Sequence, residues 1–155
     1  MPALVLLLFL PASAHANDLR SRFGFGFHAG LSTIPALSVR YALPTARPEV
    51  NVQVELDVGF DVNGDSTRAV VGGRALYGVV AEDNMSLYVA AGAAYVAEGE
   101  DPAIRLQPAM GAEFFMFGLE NLGFGVEWGI NVDLGASPVL KTVSGAPAVT
   151  VHYWF

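Results

Sequence analysis

The 155-residue chain has no cysteine, which excludes a disulfide scaffold, a thiolate zinc site and a lipidated N-terminal cysteine. It has a single lysine, Lys141, where a soluble surface carries many. Eight Lys and Arg face 15 Asp and Glu, a formal net charge of −7, so nucleic acid is not an expected partner. No apolar run approaches the roughly 20 residues a membrane-spanning helix needs. Beyond residue 17 no helical periodicity appears. Yet 53% of the residues are hydrophobic and the mean hydropathy is +0.44, high for a soluble domain of this size. That apolar content is dispersed, and 17 glycines and scattered charges interrupt it.

The first residues read as an export signal. Ala3 to Leu10 is a short apolar core, Pro11 ends it, and Ala14-His15-Ala16 forms a small-x-small cleavage site. Residues 1–16 are therefore expected to be a signal peptide, and 17–155 a single barrel domain. No Lys or Arg precedes the apolar core, so either the start codon lies upstream or the signal is atypical.

What fills the remainder is a period of two, the period of a strand with two different faces. From Val50 to Val62 the apolar class is Val50, Val52, Val54, Leu56, Val58, Phe60 and Val62. The intervening class is Asn51, Gln53, Glu55, Asp57, Gly59 and Asp61. Leu122 to Leu134 repeats the pattern around Val126, Trp128 and Ile130, with Glu127, Asn131 and Asp133 opposite. Weaker alternation covers 22–31, 37–43, 68–80, 86–96, 104–117 and 149–155. The spacing predicts eight strands, separated by turns at 32–35, 44–48, 63–66, 82–84, 98–102, 118–121 and 135–147.

A soluble barrel buries its apolar face, and a membrane barrel turns it outward. Here the polar class is rich in glycine, and its charges nearly balance. Arg22, Arg40, Arg68, Arg74 and Arg105 stand against Glu55, Asp57, Asp61, Glu113, Glu127 and Asp133, as side chains pairing in a narrow lumen would. Aromatics sit toward strand ends on the apolar face: Phe23, Tyr41, Tyr95, Phe124, Tyr153 and Phe155. In lipid a strand protein must close into a barrel, because every backbone N–H and C=O needs a partner. The fold class expected is all-β, an eight-stranded antiparallel up-and-down transmembrane barrel with both termini on the periplasmic side.

The closing stretch Val149-Thr150-Val151-His152-Tyr153-Trp154-Phe155 resembles the assembly signal of bacterial outer-membrane barrels, a terminal Phe preceded by alternating aromatic and apolar residues. With the eight amphipathic strands, the chain resembles the small eight-stranded barrels that include outer membrane proteins A and X. The resemblance implies integral insertion in the outer membrane of a Gram-negative bacterium. It also implies contact with outer-membrane lipid and lipopolysaccharide, and recognition of the last strand by the barrel assembly machinery. A monomer is expected. Long adhesive outer loops are missing, except for 135–147, which argues against an adhesin.

Several motifs invite chemistry. Asp61-Val62-Asn63-Gly64-Asp65 looks like the start of a calcium loop, but Ser66 replaces its glycine and Gly72 its final acid. An Asn-Gly hairpin turn accounts for it without metal. His15 leaves with the signal. His28 and His152 fall on the lumen face, without the His-x-Ser arrangement of lipid A-modifying barrels. Glu55, Glu113 and Glu127 with Arg74 and Arg105 read as an ion network filling a lumen only wide enough for side chains. No catalytic, cofactor-binding or metal residue is assigned, and no cofactor is expected. The function expected is a structural or envelope-integrity role, porin-like in architecture but not catalytic. The alternatives are an outer-membrane lipid-modifying enzyme and a soluble exported barrel that binds a small apolar ligand.

Overall fold

Alternation along the sequence becomes alternation of exposure in the computed structural model, which describes residues 18–47, 50–63, 66–82, 84–98, 102–135, 138–142 and 147–155. The expected signal peptide lies outside the described residues. The strands are β1 (Phe23–His28), β2 (Ala36–Ala42), β3 (Val52–Asn63), β4 (Ser66–Glu82) and β5 (Met85–Ala97). They continue with β6 (Ala103–Met116), β7 (Leu119–Leu134), β8 (Val139–Thr142) and β9 (Ala148–Trp154). On β1, Phe23, Phe25 and Phe27 are exposed while Gly24, Gly26 and His28 are buried. On β3, Val54, Leu56, Val58 and Phe60 face out while Gln53, Glu55 and Asp57 face in. The apolar class is the outer wall, the arrangement of a membrane barrel and the reverse of a soluble one.

All neighbouring strands are antiparallel, and the sheet closes. β1 to β7 pair in sequence order, β7 pairs with β9, and β9 pairs back onto β1. The two halves of one stave are β8 and β9. β9 lies on Leu122–Glu127 of β7, and β8 lies on Ile130–Asp133. Eight staves thus form from nine strands. The single long loop expected at 135–147 is corrected here, since Val139–Thr142 is a strand. Among the described residues, β8 pairs only with β7 and covers the part of that strand beyond the reach of β9. A four-residue segment between Pro138 and Pro147 is too short for a period-two signal to stand out.

At the seam, an added Cβ on Gly26 would run into the Val151 carbonyl of β9, so only glycine lets β1 and β9 approach this closely. The hairpin between β6 and β7 turns at Gly118, whose φ of 80° is in the left-handed region that glycine tolerates. A register shift between Gly78 and Val80 leaves both Val79 and Val80 on the outer wall.

Both barrel ends are stoppered by apolar side chains. At the end away from the termini, the 29–35 connection folds into the mouth, and Leu31 and Ile34 pack on Ala36, Val70, Ala94 and Val96. Its Leu31 carbonyl accepts from Arg105 Nη1 at 2.8 Å, its Gly30 carbonyl from Gln107 Nε2 at 2.8 Å, and Thr33 Oγ1 donates to Glu98 at 2.7 Å. At the terminal end, Leu19 caps a cluster with Ala42, Phe115 and Trp154. A left-handed turn at Ser21, φ 62°, leads from that cap into β1. Arg22, expected in the lumen, instead sits at this rim. Its Nη2 donates to the Trp154 carbonyl at 2.9 Å and to Asn121 Oδ1 at 2.5 Å. Outside the strands, Arg20 donates to Asp18 at 2.6 Å and holds that carboxyl below its ordinary pKa.

Candidate functional site: the lumen network

Antiparallel register places opposite charges directly across from one another, a favourable cross-strand pairing. Arg40 is opposite Glu55, Glu55 opposite Arg74, and Arg105 opposite Asp133. These pairs are made in the lumen. Arg74 is the hub: its Nε donates to Glu55 Oε1 at 2.9 Å, its Nη1 to Glu127 Oε2 at 2.7 Å, and its Nη2 to Glu127 Oε1 at 3.0 Å. The fork onto Glu127 is bidentate, the geometry that makes guanidinium–carboxylate pairs strong. Tyr88 Oη donates to Glu127 at 2.6 Å. Arg40 donates to Glu55 through Nε, and its guanidinium lies 5.8 Å from the Tyr88 ring centre. Its Nη1 and Nη2 lie 3.6 Å from Glu113 and from Glu127.

A second layer lies toward the far end. Arg105 forks onto Asp133 at 2.6 and 2.9 Å. Gln107 Nε2 donates to Asn131 at 2.9 Å, while its Oε1 accepts from Arg74 at 3.1 Å. Toward the terminal end, Trp154 Nε1 donates to Glu113 Oε1 at 3.3 Å. Glu55, Glu127 and Asp133 are thus each paired with a guanidinium, as a low-dielectric interior requires.

The residues read from the sequence as an ion network lie where their face dictates. Glu55, Glu113, Glu127, Arg74 and Arg105 are all buried in the lumen. Of the two cations considered for Glu127, Arg74 binds it and Arg105 does not. Asp61 pairs with Arg68 on the facing strand, with Asn63 opposite Ser66, so the would-be calcium loop is a hairpin whose first acid already has a cation. The turn residues 64–65 lie outside the described residues. Unforeseen were Tyr88 as a donor to Glu127 and Arg40 as a second hub. Their inward parity was the available signal, but register decides which partners they meet.

His28 and His152 are both fully buried, on adjoining strands. His152 Nε2 lies 2.9 Å from Ser38 Oγ, a histidine–serine contact absent from the local sequence because 114 residues separate the two. The contact is inside the lumen, with Ser38 itself fully buried, and the wall beside it carries Leu37 and Val39 toward lipid. A lipid substrate at the outer wall has no path to that hydroxyl through the paired strands.

No protein-family model matches the chain, and no curated protein matches it in sequence. Among solved structures, the outer membrane protein Ail of Yersinia pestis, determined in a phospholipid bilayer nanodisc, superposes with a TM-score of 0.50 at 13% identity. The match covers 86% of this chain and 97% of Ail. Closed pairing, an apolar outer wall and this superposition together give the chain the fold of a small eight-stranded transmembrane β-barrel, in keeping with the outer membrane protein A and X-like architecture.

Proposed function

We propose that this protein is a small integral barrel of a Gram-negative outer membrane with a structural, envelope-integrity role, neither a pore nor an enzyme. The observation that carries the reading is the filled lumen. Arginine, glutamate and glutamine side chains occupy its middle, and Leu31 with Ile34 at one end and Leu19 at the other stopper it. An eight-stranded barrel is only about wide enough for its own side chains, too narrow for an open channel once they fill it. The wall, not the interior, is then the working surface. Its surroundings are outer-membrane lipid and lipopolysaccharide, reached through export and insertion with β9 as the segment presented to the assembly machinery.

Planar-bilayer recording of the purified, refolded full chain tests this. The expected outcome is no large, stable openings. Steady porin-like channels would overturn the sealed-barrel reading. Heat-modifiable migration on a semi-native gel and recovery in the outer-membrane fraction are the accompanying results for insertion.

A further inference from the structure

The centre of the lumen is short of positive charge. Arg40 and Arg74 face Glu55, Asp57, Glu113 and Glu127, two cations against four carboxylates, while Arg105 is taken by Asp133 and lies 3.6 Å from Glu98. The shortfall concentrates at one point. Among the described residues, neither ring nitrogen of the fully buried His28 has a hydrogen-bond partner, and neither oxygen of the fully buried Asp57 has one. His28 Nδ1 nevertheless faces two carboxylates, at 3.5 Å from Glu55 Oε1 and 3.5 Å from Asp57 Oδ1. The cation nearest Asp57 is Arg74, whose Nε is 4.0 Å from Oδ2.

An imidazole nitrogen and two carboxylate oxygens brought this close are held by a positive species shared among them, a proton or a metal ion. The spacing suits a metal ion better than a proton. A hydrogen bond would draw one oxygen to about 2.8 Å and leave the other. Tetrahedral coordination with metal–ligand bonds of roughly 2.1 Å instead puts neighbouring donor atoms about 3.4 Å apart. The three donor atoms lie within 4.8 Å of one another. On the opposite side of the ring, Nε2 faces Glu127 Oε2 at 3.5 Å. The negative charge on that side favours the tautomer with its proton on Nε2, which leaves Nδ1 free to ligate. On β2, the small residues Ala36 and Ser38 lie opposite His28 and Asp57, while Arg40 lies opposite Glu55.

We propose that His28 Nδ1, Asp57 Oδ1 and Glu55 Oε1 form a lumenal site for one divalent cation of the zinc or manganese class. The imidazole suits zinc and the carboxylates suit zinc or manganese, with the tetrahedral spacing favouring zinc. Two positive charges offset the two missing from the network. Glu55 shares its Oε1 with Arg74, whose Nη2 is 2.7 Å away, so His28 and Asp57 are the principal ligands. Because both barrel ends are stoppered, the ion enters during folding and is slow to leave.

The test is refolding of the full chain from urea into detergent micelles, in metal-stripped buffer with or without zinc or manganese. Metal in the separated folded fraction is then measured. About one ion per folded barrel is expected, retained through prolonged EDTA treatment and released on heat unfolding. His28→Gln and Asp57→Asn should each lower the bound metal to about a tenth or less, whereas Ser38→Ala should keep it. Folded wild-type protein that takes up neither metal overturns the site and leaves a proton between these groups. Equal loading of wild type, His28→Gln and Asp57→Asn also overturns it. Should the two ligand variants not fold, X-ray absorption on the zinc-loaded wild type decides: one imidazole with oxygen donors is expected, and two or more imidazoles contradict the assignment.

Discussion

At the scale of single residues, the lumen's stability rests on groups that cannot lose a partner. Arg74 bridges Glu55 on β3 and Glu127 on β7, so it ties opposite walls through the barrel's interior. Removing one member leaves the other charged and buried, which costs about 3–5 kcal/mol. Arg74→Met should therefore lower unfolding free energy by about that amount in urea titrations of the micelle-embedded barrel. The double variant Arg74→Met with Glu127→Leu should recover part of the loss, because it removes both charges. Additive losses would mean the two side chains do not depend on each other. That these residues would meet in the lumen was readable from parity in the sequence. That Arg74 rather than Arg105 holds Glu127 was not, since a shift of one residue in register changes every cross-strand partner.

At the scale of elements, β7 and β9 show what period two can and cannot reveal. The unbroken alternation of β7 puts Glu127 in the lumen and Trp128 on the wall at 57% exposure, as its sequence predicts. Val126→Arg would place a guanidinium on the lipid side and should cost roughly 2–4 kcal/mol near the bilayer midplane. A cost near zero in reversible unfolding would put Val126 close to water. On β9, Phe155 is 72% exposed and its N–H donates to the Phe23 carbonyl at 2.8 Å, whereas Trp154 is part of the inner stopper. Phe155→Ser should lower outer-membrane levels well below those of Trp154→Phe, which keeps an aromatic ring in the stopper. Equal levels of the two variants in fractionated cells would remove Phe155 from recognition. Trp154→Ala is no neutral comparison, because emptying a buried aromatic site costs about 3–5 kcal/mol. The inward fold of 29–35 and the short β8 escaped the periodic pattern for one reason. Each is shorter than the window over which alternation can be read, and Leu31 and Ile34 were the only local sign that this turn has a buried side.

At the scale of the whole molecule, an outer surface of exposed Phe, Val, Leu and Ile encloses an interior of Arg, Glu, Gln and His. A soluble protein of this size would hold the opposite arrangement, with its apolar atoms inside and its charges in water. Sequence composition already pointed this way through a single lysine and a hydropathy too high for a water-facing chain that has no long apolar run. Closure and a common end for the two termini followed from the even strand number, but the two stoppers emerge only when all the strands are paired.

The two tryptophans read that inversion directly, because one lies on each side of the wall. Trp128 faces outward and Trp154 is fully buried inside. With the full chain refolded in bilayers that contain lipids brominated along the acyl chain, the Trp154→Phe variant reports Trp128 alone, and the Trp128→Phe variant reports Trp154 alone. Strong quenching of Trp128 by brominated lipid is expected, with Trp154 largely protected from both brominated lipid and aqueous acrylamide. Quenching of Trp154 by lipid, with Trp128 open to acrylamide, would mean that the barrel is turned inside out.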